Sequence, residues 1–109
     1  MAQYRGLSDT DSRLILLAPD DNVAVVARPI AAGERIRVRG QAIAIEQALG
    51  FGHKLALDDL ALGARVLKYG APIGRASRAI RIGEHVHTHN LVSAYIRTFA
   101  REGEGAYDR

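Results

Sequence analysis

The chain has 109 residues, which is enough for one domain but too few for two independent cores. It contains no cysteine, and this excludes disulfide bonds, a thiolate nucleophile and cysteine-based metal sites. The formal net charge of +3 comes mainly from scattered arginines, whereas nucleic-acid-binding proteins concentrate basic residues into a patch. With no signal-peptide pattern and no apolar run of membrane-spanning length, we expect a cytoplasmic domain that binds neither nucleic acid nor membrane.

Short strands dominate the elements predicted along the chain. Residues 14–17 and 22–27 are predicted strands, separated by a strong turn signal that includes Pro19 and Asp21. In the next segment, Arg35, Arg37 and Arg39 alternate with apolar residues. This period of two is typical of a half-buried strand, so the three arginines are expected on its solvent face. Residues 41–45 and 91–99 are further predicted strands.

A short pattern, apolar-x-x-Gly-x-x-apolar, organises the chain and occurs four times. We predict that each glycine lies in a tight turn from which a strand leaves. The four copies are Ile30–Gly33–Ile36, Leu49–Gly52–Leu55, Leu60–Gly63–Val66 and Ile80–Gly83–Val86. The pattern favours an all-β fold, a small barrel of short strands. One or two single helical turns are also expected, at residues 46–49 and 58–62, the second capped by Asp58.

The histidines carry the first candidate chemistry, because three of the four lie close together as His85, His87 and His89. In a strand, alternate side chains point the same way, so these three imidazoles would share one face and could bind a divalent metal. The alternative is an exposed polar strand face without a metal. Catalytic metals usually need three or more protein ligands. A complete site would therefore require His53, a distant carboxylate or a second chain.

Two glycine-containing stretches are further candidates. His53 directly follows a repeat glycine, where an imidazole could project from the turn and transfer a proton, or simply be a surface histidine. Lys68-Tyr69-Gly70 precedes Pro72-Ile73-Gly74, and backbone N–H groups in such a loop could approach an anion. A purely structural turn is the alternative for the second stretch. Asp58-Asp59 is interpreted as a turn or a helix cap rather than an acid–base pair.

Taken together, these stretches resemble the SAF domain of the altronate/galactarate dehydratase family. The order and spacing of the motifs make the resemblance specific, and it extends from about residue 20 to residue 91. The motifs are Asp21-Asn22-Val23-Ala24-Val25, Ile30-Ala31-Ala32-Gly33, Gly52-His53-Lys54, Lys68-Tyr69-Gly70, Pro72-Ile73-Gly74 and Val86-His87-Thr88-His89-Asn90. Residues 39–52 depart from the family pattern, so the resemblance does not predict the backbone geometry of the segment that leads to His53.

The resemblance implies a β-clip fold. We expect this domain over residues 14–100, preceded by an N-terminal arm at 1–13 and followed by a polar, glycine-containing and flexible tail at 101–109. It also implies metal-dependent removal of water from a hexonate or hexarate, with Fe²⁺ or Mn²⁺ favoured and Zn²⁺ as a further option. In this family the small domain is fused to, or encoded separately from, a much larger one. Relatives of the same design include a sulfolactate sulfo-lyase. We therefore expect a subunit of a carbon–oxygen lyase that is inactive without its large partner.

Carried over to this sequence, the resemblance implies three groups of site residues. Catalytic residues are His53, Lys54 and Lys68, metal ligands are His87 and His89, and substrate contacts are Tyr69, Gly70, Gly74 and Asn90. His85 lies at a position that the family pattern leaves variable, so it is not assigned to the site. The alternative function is a non-catalytic module of the same fold that binds a sugar acid or another carbohydrate. Assembly into a homo-oligomer remains open.

Overall fold

The computed structural model of the protein describes residues 7–93. Within that range the chain forms nine short β-strands and no helix, so the all-β prediction is confirmed. The strands are β1 Leu14–Ile15, β2 Val23–Val26, β3 Arg35–Val38, β4 Gln41–Ala44, β5 Lys54–Ala56, β6 Arg65–Lys68, β7 Ala71–Ala76, β8 His85–Val86 and β9 Leu91–Ser93.

A four-stranded antiparallel sheet with the order β1-β2-β5-β8 lies at the centre. Both of its faces are covered, because neighbouring residues of β2 and β5 enter different apolar clusters. Ala24 and Leu55 belong to one cluster, whereas Val23 and Ala56 belong to the other. A strand that is buried on both faces needs a continuous apolar run rather than alternation, and this accounts for the sequence of β2, VAVV.

The other strands form two smaller antiparallel sheets, β3-β4 and β6-β7-β9. Ile36 and Val38 of β3 are buried in the first cluster, and Val66 of β6 and Ala76 of β7 are buried in the second. Each small sheet therefore contributes an apolar face to one of the two clusters. The alternating burial of β3 confirms the predicted period of two.

Four equivalent turns join these sheets, at the four repeat glycines. Each glycine has a positive φ, between 85° and 91°, which glycine adopts without steric cost. The N–H of each glycine donates to the carbonyl of a residue in a neighbouring segment. The N–H of that same residue donates back to the carbonyl of the residue that follows the glycine. The paired residues are Gly33-Glu34 with Ile45, Gly52-His53 with Val26, Gly63-Ala64 with Ala76, and Gly83-Glu84 with Ala56. The predicted repeat is thus a repeated hydrogen-bonded turn.

Some local predictions were wrong. Neither 46–49 nor 58–62 forms a helical turn, because Leu49 and Leu60 instead bridge to Ile30 and Ile80. Arg39 does not continue the exposed face of β3: it follows the end of the strand with a φ of 49°, and its guanidinium pairs with Asp58 at 3.0 Å. That ion pair, and not a helix cap, is the role of Asp58.

The ends of the chain are described only in part. Strand β9 confirms the start of the predicted strand 91–99, whereas its remaining residues and the predicted tail at 101–109 lie outside the described residues. The described part of the predicted arm, residues 7–13, is hydrogen-bonded to β3 and the turn after it, through Asp11 N–H to Arg37 and Gly40 N–H to Asp9. Within 7–93, no helix is long and apolar enough to cross a membrane.

Candidate active site

The turn after β8 brings the clustered histidines together. The strand ends at Val86, so the prediction that all three imidazoles alternate along one strand was wrong. Their rings are nevertheless neighbours: the centroid of His85 lies 5.5 Å from that of His87, with nearly parallel planes, and 5.8 Å from that of His89. A turn therefore produces the shared face that was expected from a strand.

Asn90 holds this turn in place. The side chain is completely buried, and both ends of its amide bond to the turn. Its Oδ1 accepts the His87 N–H at 2.9 Å, and its Nδ2 donates to the His85 carbonyl at 2.9 Å. Asn90 was predicted to contact substrate; in this structure its side chain is buried and both of its polar atoms already bond to the turn. Its contribution to the site is the position of the histidines.

His53 joins the group from the neighbouring strand. Strands β5 and β8 are antiparallel with Lys54 opposite Val86, and this register places the turn before β5 beside the end of β8. The His53 ring stacks on His85 with centroids 4.5 Å apart and planes inclined by 19°. The departure of residues 39–52 from the family pattern does not disturb this turn, which keeps the hydrogen bonds of the other three.

His85 is thus the central ring of the cluster, although sequence reasoning left it out. It contacts His53, His87 and His89. Partial burial, together with the charges of these neighbours and Lys54, lowers the pKa of His85 from its usual 6.5 to about 4. The available signal was its spacing of two from His87, but spacing alone does not show that a ring from another strand stacks on it.

The lowered pKa predicts a pH-dependent stability. The folded protein favours neutral His85, so this contribution is complete above pH 6.5 and is lost as the pH falls towards about 4, because the unfolded chain then binds the additional proton. In urea titrations with a chelator present, we expect the unfolding midpoint of the wild type to fall more steeply over this range than that of His85→Gln. Equal slopes for the two proteins would contradict the assignment.

The two lysines continue the basic face. Lys54 is half-buried at the start of β5, and burial, followed by the charge of Lys68, lowers the pKa of its amine. The charge of Lys54 in turn influences His85. Lys54 thus lies within electrostatic range both of His85 and of Lys68.

The loop Lys68-Tyr69-Gly70 is held by an internal anion. Asp21 is buried, and its carboxylate accepts the Tyr69 N–H at 2.7 Å and the Gly70 N–H at 2.8 Å, in addition to the Ala18 N–H at 3.1 Å. These backbone donors are therefore occupied and do not provide the anion cradle considered for this loop. Tyr69 keeps an exposed phenol on a left-handed backbone with a φ of 61°.

Gly74 lies where the backbones of β7 and β9 pack closely. It is buried in β7, paired with Val66 on one side and Ser93 on the other. A Cβ atom at this position would overlap the Val92 carbonyl of β9. Close approach of two backbones thus accounts for the glycine, whereas substrate binding was the prediction.

A groove borders the imidazole cluster. Its volume of about 760 Å³ lies within the usual range of small-molecule sites. Strand β4 forms one side, and His85, His89 and the exposed Arg81 are among the residues on the other. Arg78 on the same side is paired with Glu84 at 2.9 Å. The carboxylates of Glu46, Asp59 and Glu84 also line the groove, so its walls carry both signs of charge beside the histidines.

The donor set fits a metal only incompletely. His87 and His89 are exposed, and imidazole nitrogens suit Fe²⁺, Mn²⁺ and Zn²⁺. Among residues 7–93, however, no group of three or more histidine, cysteine or carboxylate side chains is arranged to hold an ion. These two histidines can therefore supply only part of a coordination shell.

These features define a small all-β domain in which four histidines cluster beside Lys54. The family model described as the altronate/galactarate dehydratase SAF domain matches residues 12–94. The chain therefore belongs to the SAF domain family of altronate/galactarate dehydratases.

Curated relatives agree with this assignment. The chain is 49% identical over 70 residues to an altronate dehydratase of Escherichia coli, an alignment covering 64% of this chain and 14% of the relative. It is 42% identical over 76 residues to an altronate dehydratase of Bacillus subtilis, covering 70% and 15%. It is also 51% identical over 47 residues to a (2R)-sulfolactate sulfo-lyase subunit alpha of Chromohalobacter salexigens, covering 43% and 50%. The chain thus spans about one seventh of the dehydratases and half of the alpha subunit.

Proposed function

We propose that this domain supplies part of the active site of a sugar-acid dehydratase, and that a larger subunit or domain supplies the rest. The observation that carries the proposal is the cluster of all four histidines, with Lys54 in electrostatic range of it and Lys68 in range of Lys54, without a complete metal site among the described residues. The relatives support it, because the altronate dehydratases are far longer than the aligned segment and the sulfo-lyase relative is itself named a subunit.

The substrate class follows from the charge and polarity of the site. A hexonate or hexarate carries one or two carboxylates, which the cations of Lys68 and Arg81 would attract. Its hydroxyl groups would find donors and acceptors among the exposed imidazoles of His87 and His89. The groove beside these rings is large enough for such a molecule.

Removal of water from a hydroxy acid requires a base for the proton next to the carboxylate and positive charge for the enolate-like state that follows. Lys54 is the first candidate for proton transfer, because burial and the charge of Lys68 lower the pKa of its amine. Lys68 would then hold the carboxylate. A divalent metal, Fe²⁺ or Mn²⁺ before Zn²⁺, would act as a Lewis acid when bound by His87 and His89 with ligands from the partner.

The test is a dehydratase assay on the chain alone and with its large partner, with each of Fe²⁺, Mn²⁺ and Zn²⁺. The substrates are hexonates, hexarates and sulfolactate. We expect turnover only when partner and metal are both present, because this chain contributes too few ligands by itself. Within the complex, the double variant His53→Ala/His87→Ala should lose at least about 100-fold in kcat/KM.

Thr88→Ala is the matched control, since Thr88 is exposed in the same turn between two of the histidines and was not assigned to the site. It should retain wild-type turnover. Full activity of the double variant in the complex would contradict the proposal. A stable complex without turnover on any substrate would favour the alternative, a non-catalytic sugar-acid-binding module.

A further inference from the structure

Three of the four repeated turns share a second hydrogen bond, from a backbone N–H to the side chain that follows the glycine, and this bond decides the state of His53. In the first turn, the side chain after the glycine, Glu34, accepts the Ala31 N–H through Oε2 at 2.8 Å. In the last turn, Glu84 accepts the Arg81 N–H through Oε1 at 3.0 Å. In both, the donor lies three residues before the acceptor. A carboxylate accepts and does not donate, so in both turns the backbone N–H points at the side chain that follows the glycine.

His53 occupies the same position in the second turn. Its Nδ1 lies 2.9 Å from the Gly50 nitrogen, whose N–H points at it, and Gly50 is again three residues earlier. An imidazole thus replaces the carboxylate of the two equivalent turns. To accept the Gly50 N–H, Nδ1 must carry no proton, and the single proton of a neutral imidazole must then be on Nε2.

We infer that the turn holds His53 as the Nε2–H tautomer, which makes it a hydrogen-bond donor to the substrate rather than a proton-accepting base or a metal ligand. A base or a ligand needs a lone pair on the outer nitrogen, and in this tautomer Nε2 has none. A proton on Nδ1 would face the Gly50 N–H, so two donors would oppose each other and the hydrogen bond of the turn would be lost. Which substrate atom accepts this hydrogen bond rests on the proposed function: the Nε2–H of His53 would donate to a carboxylate or enolate oxygen of a sugar acid.

The tautomer is measured directly in the isolated chain. Two-bond proton–nitrogen correlations of ¹⁵N-labelled protein show which ring nitrogen carries the proton, and His53→Gln identifies the His53 signals by their loss. We expect an unprotonated Nδ1 and a protonated Nε2 for His53. A proton on Nδ1, or rapid exchange between the two forms, overturns the inference. Because the measurement needs neither partner nor substrate, it is decisive even if the dehydratase proposal fails.

Two substitutions then separate donor from base or ligand in the active complex. His53→Glu reproduces the side chain of the equivalent turns, so it should keep the thermal midpoint of the wild type, but it has no outer donor. His53→Gln provides an amide N–H close to the position of Nε2. A donor role predicts that Gln retains at least about tenfold more kcat/KM than Glu, which should lose about 100-fold or more. A base or ligand role predicts the reverse order, because a carboxylate can perform either task and an amide cannot.

Discussion

Asp21→Ala should lower the free energy of unfolding by about 3 kcal/mol. The buried carboxylate accepts three backbone N–H groups, from Ala18, Tyr69 and Gly70, and hydrogen bonds to a charged acceptor are stronger than neutral ones. Its loss disconnects the loop of β6 and β7 from the segment before β2. Since single domains are stable by only about 5–15 kcal/mol, the variant should approach marginal stability.

Urea unfolding followed by circular dichroism measures this change, and Asp20→Ala is the control. Asp20 is the exposed neighbour of Asp21, so its substitution should change the free energy of unfolding by less than about 0.5 kcal/mol. Hydrogen exchange gives a second readout, because the Tyr69 and Gly70 amides should lose protection in Asp21→Ala alone. Equal stability of the two variants would show that the carboxylate does not hold the loop.

Gly74→Ala should destabilise the protein by about 1–3 kcal/mol, the usual range for an overpacked core position. The added methyl would overlap the carbonyl of Val92, which belongs to the backbone of β9 and cannot rotate away. Strand β9 must then move off β7, and pairs such as Arg75 with Val92 are lost. Thermal unfolding of the variant should show a midpoint lowered by several degrees.

Gly50→Ala is the matched glycine substitution. Its Cβ would lie 3.7 Å from the His53 ring, an ordinary contact, and Gly50 does not have a left-handed φ. It should therefore be neutral or slightly stabilising, since alanine restricts the unfolded chain by about 0.4–1 kcal/mol. If Gly74→Ala were as stable as Gly50→Ala, β9 would not approach β7 as closely as the structure places it.

Much of the site was predictable because it depends on local sequence. The repeated glycines predicted four turns, and the order of the histidine and lysine motifs pointed to the family that the whole-domain comparison then showed. The roles of individual residues were less predictable. Asn90 and Gly74 were predicted to contact substrate, and the structure shows a further role for each: Asn90 bonds to a turn, and Gly74 allows two strands to pack closely. A motif identifies a position but does not reveal whether its polar groups already have partners.

The sequence by itself determined the all-β class, the burial pattern of β3 and the turn before His53, since these follow from periodicity and from backbone conformations that favour glycine. Only the tertiary structure decided that His85 is the central ring, because its neighbour His53 arrives through the pairing of β5 with β8. The same holds for Asp21, which binds amides 48 and 49 residues away. Contacts between distant segments depend on strand order and register, and no local pattern records those.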